Sequence, residues 1–273
     1  MYNTMTMLLL LGLLYLTSAY DPELSKHCVN LAQSSYCVSS PDQWDCLTCE
    51  SSIQLEYVTE VDGLRAIQGY DSFTDTLFVA FRGSDNIQNW IDNMQVAKIS
   101  PYNDSSIEIE EGFHKAYLHV KSDLFRNLGK LTAEYNTHDV LVTGHSLGAA
   151  LATLLAYDLM MSDTHSVSHL ITFGSPRVGN TEFVKSFNTY PLEYNRDTHY
   201  NDIVPHVPEE LMGYMHVSNE IWYNEDNSEF SVCDDYNTED DMCSNTCSPL
   251  HCTSTSDHMY YLNVTMGGEG CYA

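Results

Sequence analysis

The sequence predicts an α/β fold: a mostly parallel sheet with helices on both faces. Three observations carry that prediction. Apolar strand-like runs alternate with helical patterns through the middle of the chain. At the centre, residues 139–152 read as a short apolar strand, an abrupt turn and an Ala- and Leu-rich helix. The 273 residues, 43% of them hydrophobic, are enough for one large core, and no repeat or linker divides them.

Taken in order, the chain opens on a targeting segment. Leu8–Leu16 is almost continuously apolar and Thr17-Ser18-Ala19 offers small residues for cleavage. The run is too short to span a bilayer, so residues 1–19 are expected to be a secretory signal peptide, although the segment before it has no Lys or Arg. Residues 20–273 are expected to form a single domain. Pro22–Ser35 reads as a helix with Leu24, Cys28 and Leu31 on one side, and the cysteine-rich Tyr36–Ser51 as loop. Leu64–Tyr70 and Thr76–Phe81 read as paired strands joined by the polar turn Asp71–Asp75. Glu111–Tyr135 is a long amphipathic helix with Phe113, Tyr117, Val120, Leu124, Leu128 and Leu131 facing inward. In the central unit, Val140, Leu141 and Val142 form a buried strand, and Leu147, Ala150, Leu151, Leu154 and Leu155 an apolar helix face. His169–Phe173 is the next strand and Gly179–Phe187 a short helix. Leu192–Tyr200 and His216–Tyr223 are further strands.

The formal charge of −27 argues against nucleic acid as a partner, which needs a basic face, and against electrostatic docking on anionic lipid. The 77 residues after Arg196 carry fifteen Asp or Glu and no Lys or Arg. Such acidity favours a soluble monomer. Glu225–Asp241 is its densest stretch and reads as a solvated loop tied down by Cys233 and Cys243, without the ligand spacing of a calcium loop. The nine cysteines lie at the two ends of the chain, as disulfide staples of a secreted protein would. Their odd number leaves one over. Cys46-x-x-Cys49 lacks a preceding strand and a second pair at zinc spacing, so neither redox chemistry nor a metal site is expected. Asn103-Asp104-Ser105 and Asn263-Val264-Thr265 are glycosylation sequons. No second segment of spanning length follows the first, and no anchor tail is expected at the C-terminus.

The turn at the centre carries Gly144-x-Ser146-x-Gly148. A serine on a sharp strand-to-helix turn has its hydroxyl raised above the sheet edge, with the first N–H groups of a helix beside it. The hydroxyl is a weak nucleophile and needs a base, normally histidine, oriented by a carboxylate. On such a sheet the chain order is Ser, then acid, then His. Asp202, in Asn201-Asp202-Ile203-Val204-Pro205, is the first candidate acid because it follows a strand; Asp197 is the second, although it precedes strand-like residues. His258 is the first candidate base, with His206, His216 and His251 as alternatives.

At this point the sequence resembles a known family. Gly144-His145-Ser146-Leu147-Gly148-Ala149-Ala150-Leu151-Ala152 looks like the serine turn of the class 3, or fungal-type triacylglycerol, lipases. Five more blocks match in order: Phe81-Arg82-Gly83-Ser84, Glu111-Gly112-Phe113, Phe173-Gly174-Ser175-Pro176-Arg177-Val178-Gly179-Asn180, Asp202-Ile203-Val204-Pro205-His206-Val207-Pro208 and Asp257-His258-Met259-Tyr260-Tyr261. The resemblance implies an α/β-hydrolase fold, a triad of Ser146, Asp202 and His258, and an oxyanion hole from Ser84 and the Leu147 amide. It also implies a short lid over Asp85–Met94, where Ile87, Trp90, Ile91 and Met94 make an apolar stripe against Gln88, Asn89, Asp92 and Asn93. The alternative for this segment is an ordinary core helix. Cys28 and Cys271 match a terminal disulfide of the fungal enzymes, and Cys233 with Cys243 is expected to form another. The cysteines of Cys243–Cys252 depart from the family pattern.

The expectation is therefore a secreted lipid-ester hydrolase working at an oil–water or membrane interface without metal or organic cofactor. A phospholipase A1-type enzyme, a feruloyl-type esterase and a catalytically silent lipid-binding relative are the alternatives. The destination is the cell exterior or the lumen of a lysosome-like vacuole.

Overall fold

The structure is a computed structural model that describes residues 20–84, 86–94, 96–233, 238–247 and 251–272. The expected leader lies outside the described residues. Helix α1, Pro22–Cys37, starts where Asp21 accepts hydrogen bonds from the Glu23 and Leu24 amides and Pro22 pre-sets the first turn. Strand β1, Ile53–Val61, has no counterpart in the sequence reading; it pairs antiparallel with β2, Leu64–Asp71, which pairs antiparallel with β3, Thr76–Phe81. The short α2, Ile87–Asp92, comes next. Strands β4, Lys98–Ile99, and β5, Ile109–Glu110, then make a small ribbon. Helix α3 spans Glu111–Tyr135, the predicted bounds, and ends on Asn136 in the left-handed conformation.

The central unit is β6, Asp139–His145, and α4, Leu147–Ser162. Strand β7, Ser166–Phe173, and helix α5, Thr181–Phe187, follow. Next come β8, Glu193–His199, β9, Glu220–Tyr223, and β10, Phe230–Val232. The chain closes with α6, Thr255–His258, and a ribbon of β11, Tyr260–Tyr261, and β12, Val264–Thr265.

The main sheet has the order β1-β2-β3-β6-β7-β8-β9-β10. The five strands from β3 to β9 are mutually parallel, and antiparallel pairs close both edges. Both faces are covered, which is why the central strands are apolar on both sides. Leu77, Val79 and Phe81 of β3 and Val140 and Val142 of β6 join the core under α3, α4 and α5. Phe78, Ala80 and Leu141 point the other way, into a second core with Val29 and Ala32 of α1 and Tyr261 of β11. Helix α4 is buried all round from Gly148 to Leu159 rather than along one stripe, because it lies between β3, β6, β7 and α3. Among the described residues no helix is long and apolar enough to cross a membrane.

The cysteines correct one expectation. Cys271 bonds to Cys37, not to Cys28. Cys28 is the thiol left over, fully buried in the second core, with its carbonyl facing the Thr143 hydroxyl. Helix α1 runs two residues past Ser35. Cys37 lies nine residues beyond Cys28, two and a half turns on and so on the opposite side of the helix, where the C-terminal 3-10 turn Gly268–Cys271 reaches it. Three further bonds join Cys46 to Cys49, Cys233 to Cys243 and Cys247 to Cys252. The acidic stretch is not loop throughout: it contributes the exposed β10, and one of its carboxylates, Glu239, is only 8% exposed in its side chain, paired with Arg177.

Candidate active site

Every parallel strand delivers its following loop to the same edge of the sheet. Arg82-Gly83-Ser84 follows β3, Ser146 follows β6, Gly174 follows β7 and Asp202 comes shortly after β8. Ser146 alone makes the turn from β6 to α4. Its backbone sits at φ 61°, ψ −129°, a costly place for a residue with a side chain. Its N–H is held by the Phe173 carbonyl at 2.9 Å. The turn is tight enough that a Cβ on Gly144 would lie 2.4 Å from the Gly148 carbonyl oxygen. Ser146 is 2% exposed, and its Oγ has no hydrogen-bond partner among the described residues.

His258 ends α6, whose first turn is capped by the Ser254 hydroxyl accepting the Asp257 amide. Its Nδ1 is 2.9 Å from Asp202 Oδ2. A carboxylate can only accept, so the network assigns the ring proton to Nδ1 and leaves the Nε2 lone pair free. Nε2 is buried and has no partner among the described residues. Asp202 is 1% exposed. Its Oδ1 accepts the Val204 amide at 2.8 Å, and its Oδ2 accepts the Tyr261 hydroxyl as well as His258. Burial pushes this carboxyl up, but the His258 charge and these hydrogen bonds outweigh it and hold Asp202 below the ordinary carboxylate range.

The Asp202 and His258 side chains meet above Gly174. That residue sits at φ +55°, and a Cβ there would lie 2.9 Å from Asp202 Oδ2 and from the His258 ring. The preceding Phe173 carbonyl is the one that holds Ser146. His145 ties the same groups from below. Its Nε2 lies 2.8 Å from the His258 carbonyl and must donate to it, so Nδ1 accepts from the Tyr36 hydroxyl, also at 2.8 Å. Burial, then the charge of His258, push the His145 pKa down to about 3. It is a neutral prop, not a second base.

The second candidate acid is elsewhere. Asp197 lies inside β8, fully buried, and accepts the Tyr20 hydroxyl at 3.3 Å. Burial pushes it up to about 8, so it is a protonated structural group near neutral pH. Among the alternative bases, His216 spends Nε2 on the Pro205 carbonyl, His206 faces the Cys247 sulfur and His251 is exposed.

Ser84 follows Gly83, whose added Cβ would lie 3.0 Å from Ser146 Cβ, so the Ser84 loop passes directly beside the serine. The Ser84 hydroxyl is engaged with the backbone of Asn86 at 3.3 and 3.4 Å. The Leu147 amide is the first of α4 and has no intrahelical acceptor. Asp85 lies outside the described residues. From Asn86, whose side chain caps the Asn89 amide, α2 places Ile87, Trp90, Ile91 and Met94 half-buried and leaves Gln88, Asn89, Asp92 and Asn93 exposed. Trp90 stacks on Phe113 at 6.1 Å between ring centres. Asn103 and Asn263 are both exposed. Two groupings with metal-ligand character, His206 with Cys247 and Cys252 and Glu220 with Cys233 and Cys243, have their sulfurs already joined in disulfides, so each offers a single ordinary ligand. The sequence reading missed Tyr36, His145 and Tyr261 as partners of the site. Two lie within quoted motifs, but no spacing rule marks them, and Tyr36 had no signal.

Residues 78–212 match the family model "Lipase (class 3)". The lipase of Rhizomucor miehei is 32% identical over 267 residues, which cover 94% of this chain and 72% of that protein. The chain belongs to the class 3 lipases. A secreted mono- and diacylglycerol lipase A of Penicillium cyclopium is 32% identical over 78% of this chain and 70% of its own length. A solved triacylglycerol lipase, described as having a serine protease triad at its catalytic centre, superposes with a TM-score of 0.82. It shares 31% identity over 90% of this chain and 95% of that chain. The fold is therefore the α/β-hydrolase fold, and the family makes the protein a serine ester hydrolase of the lipase class.

Proposed function

We propose that this lipase hydrolyses acylglycerol esters through Ser146, His258 and Asp202. The observation that carries the reading is the pair of buried atoms, Ser146 Oγ and His258 Nε2, that have no partner among the described residues, on two residues joined through His145 and the loop at Phe173–Gly174. His258 Nε2 takes the Ser146 proton as Oγ attacks the ester carbonyl. Asp202 fixes the Nδ1–H tautomer and offsets the imidazolium charge. The Leu147 amide and Ser84 receive the oxyanion, the first at a helix N-terminus where negative charge is favoured. His258 then protonates the departing alcohol, and water, activated by the same nitrogen, releases the fatty acid from Ser146.

The half-buried stripe of α2 favours a lid that covers the serine in water and turns its apolar side to lipid. It also favours acylglycerol over the polysaccharide-linked esters of a feruloyl-type esterase. The four disulfides and the relatives named as secreted fit an extracellular protein. Its removable leader, single domain, monomeric state and glycans at Asn103 and Asn263 belong to the same reading. The test is hydrolysis rate against a short triacylglycerol taken through its solubility limit, with Ser146→Ala beside it. The expected outcome is a jump when droplets form, absent in the variant. Smooth saturation below the limit would remove the lid from the reading, and activity surviving in Ser146→Ala would remove the triad.

A further inference from the structure

The acidic segment between Cys233 and Cys243 lies beyond the matched family region, yet one of its side chains reaches the catalytic loop. Glu239 Oε1 accepts Arg177 Nε at 2.9 Å, and Oε2 accepts Arg177 Nη2 at 2.7 Å. The two side chains are 8% and 2% exposed. The same Oε1 accepts the His216 amide at 2.9 Å. Each partner then grips the loop after β8. Arg177 donates from Nη1 to the Pro208 carbonyl at 3.0 Å and from its own amide to the Val207 carbonyl at 3.0 Å. His216 donates from Nε2 to the Pro205 carbonyl at 2.6 Å. Pro205 adjoins Val204, whose amide is bonded to Asp202 Oδ1. Arg177 also touches Glu210 at 3.4 Å. Among the described residues Glu239 is thus a carboxylate that joins both holders of the loop from Asp202 to Pro208, and it lies between the bonded Cys233 and Cys243 in the chain.

We propose that Glu239 is a positioning residue for Asp202, acting through Arg177 and His216, with the Cys233–Cys243 bond holding it in reach. The inference rests on the triad reading of Ser146, Asp202 and His258. A bidentate carboxylate–guanidinium pair fixes direction as well as distance, which a single neutral contact does not. Removing its charge leaves a buried guanidinium half-satisfied and frees the Val207–Pro208 backbone to shift. Displacements of about an ångström at a catalytic group are enough to slow the chemistry.

The test compares Glu239→Gln, Ser146→Ala and the parent on a soluble nitrophenyl ester. It also measures the rate and final stoichiometry of Ser146 phosphonylation by an organophosphonate ester. For Glu239→Gln the expected result is kcat lowered about tenfold with KM unchanged. Phosphonylation should slow by the same factor and still reach one label per chain. A lowered melting temperature with kcat and phosphonylation rate unchanged would overturn the proposal, because a purely structural contact acts only on the folded fraction. Should Glu239→Gln fail to fold, the Cys233→Ser/Cys243→Ser double variant keeps the Glu239 carboxylate but removes the bond that holds it in reach of Arg177 and His216. It is expected to lower kcat in the same direction by a smaller factor, and an unchanged kcat there would equally overturn the proposal. Activity persisting in Ser146→Ala would instead defeat the triad reading beneath it.

Discussion

Asp202→Asn isolates what the acid does. In the structure Oδ1 accepts the Val204 amide, and Oδ2 accepts both His258 Nδ1–H and the Tyr261 hydroxyl. An asparagine of the same shape has one acceptor end and one donor end. Its NH2 cannot face the Val204 N–H, so the oxygen stays there and the NH2 takes the Oδ2 position. It then points at His258 Nδ1, which can accept only by giving up its proton. The ring moves to the Nε2–H tautomer and can no longer take a proton from Ser146. The packing is unchanged, so the loss falls on kcat: about 10⁴-fold, or about 5.4 kcal/mol of barrier. The assay is kcat on a soluble ester at neutral pH, with circular dichroism and thermal unfolding to show that the fold is kept. Asp197→Asn is the control, expected to leave kcat unaltered, because its carboxyl lies inside β8 against Tyr20. A folded Asp202→Asn that keeps more than about a hundredth of the parent rate would refute the tautomer argument. So would a comparable loss in Asp197→Asn.

Other outcomes follow from the same structure. Cys37→Ser should destabilise by about 5 kcal/mol, since the bond to Cys271 closes a separation of 234 residues; Cys28→Ala should cost only about 1 kcal/mol. Under denaturing conditions without reductant the parent should titrate one thiol and Cys28→Ala none, and a thiol remaining in Cys28→Ala would mean a different pairing. His27 lies between Glu50 at 2.6 Å and Asp71 at 2.7 Å, at the end of the sheet away from the site. Burial lowers its pKa, but hydrogen bonds and charges from Asp71 and Glu50 outweigh this and raise it from 6.5 to about 9. A raised folded-state value means a stabilisation fully present below 6.5 and lost as pH rises through about 9. Denaturant unfolding across that window should show falling stability in the parent and a flatter profile in His27→Gln. Replacing Ile87 and Ile91 together by Ser should blunt the rate jump at droplet formation while leaving hydrolysis of a soluble ester near the parent value, and an undiminished jump would separate α2 from interfacial action.

How much of this was legible in the sequence depended on range. Helix α3 was read to its bounds because its apolar stripe and its terminators are local, and β3 and β6 were read because strands buried on both faces cannot avoid being apolar. Strand β1 was missed. At the sheet edge it is half-buried, and Ile53-Gln54-Leu55-Glu56 mixes polar and apolar residues directly after a cysteine-rich loop. The disulfide partner of Cys271 was misread because it depends on which side of α1 faces the sheet. A cysteine at either position satisfies the pattern, and only the extension of the helix to Cys37 decides between them.

The same distinction runs through the site. Ser146 and Asp202 could be proposed because a parallel sheet presents its chemistry at the carboxyl ends of its strands, whereas position alone did not select His258 among four candidate histidines and the family resemblance did. That rule separated Asp202, just past β8, from Asp197, within it. The groups that surround the proposed triad obey no such rule. Tyr36 comes from α1, Tyr261 from the terminal ribbon and Glu239 from an acidic segment that looked merely solvated. Each reaches the site through folding of distant chain, and any polar side chain of suitable reach would serve. In a relative with the same six motifs the triad should therefore be recoverable from sequence, while its supports differ. It follows that catalytic rate in this family can be altered from positions no motif marks, and in this chain the residue best placed to show it is Glu239.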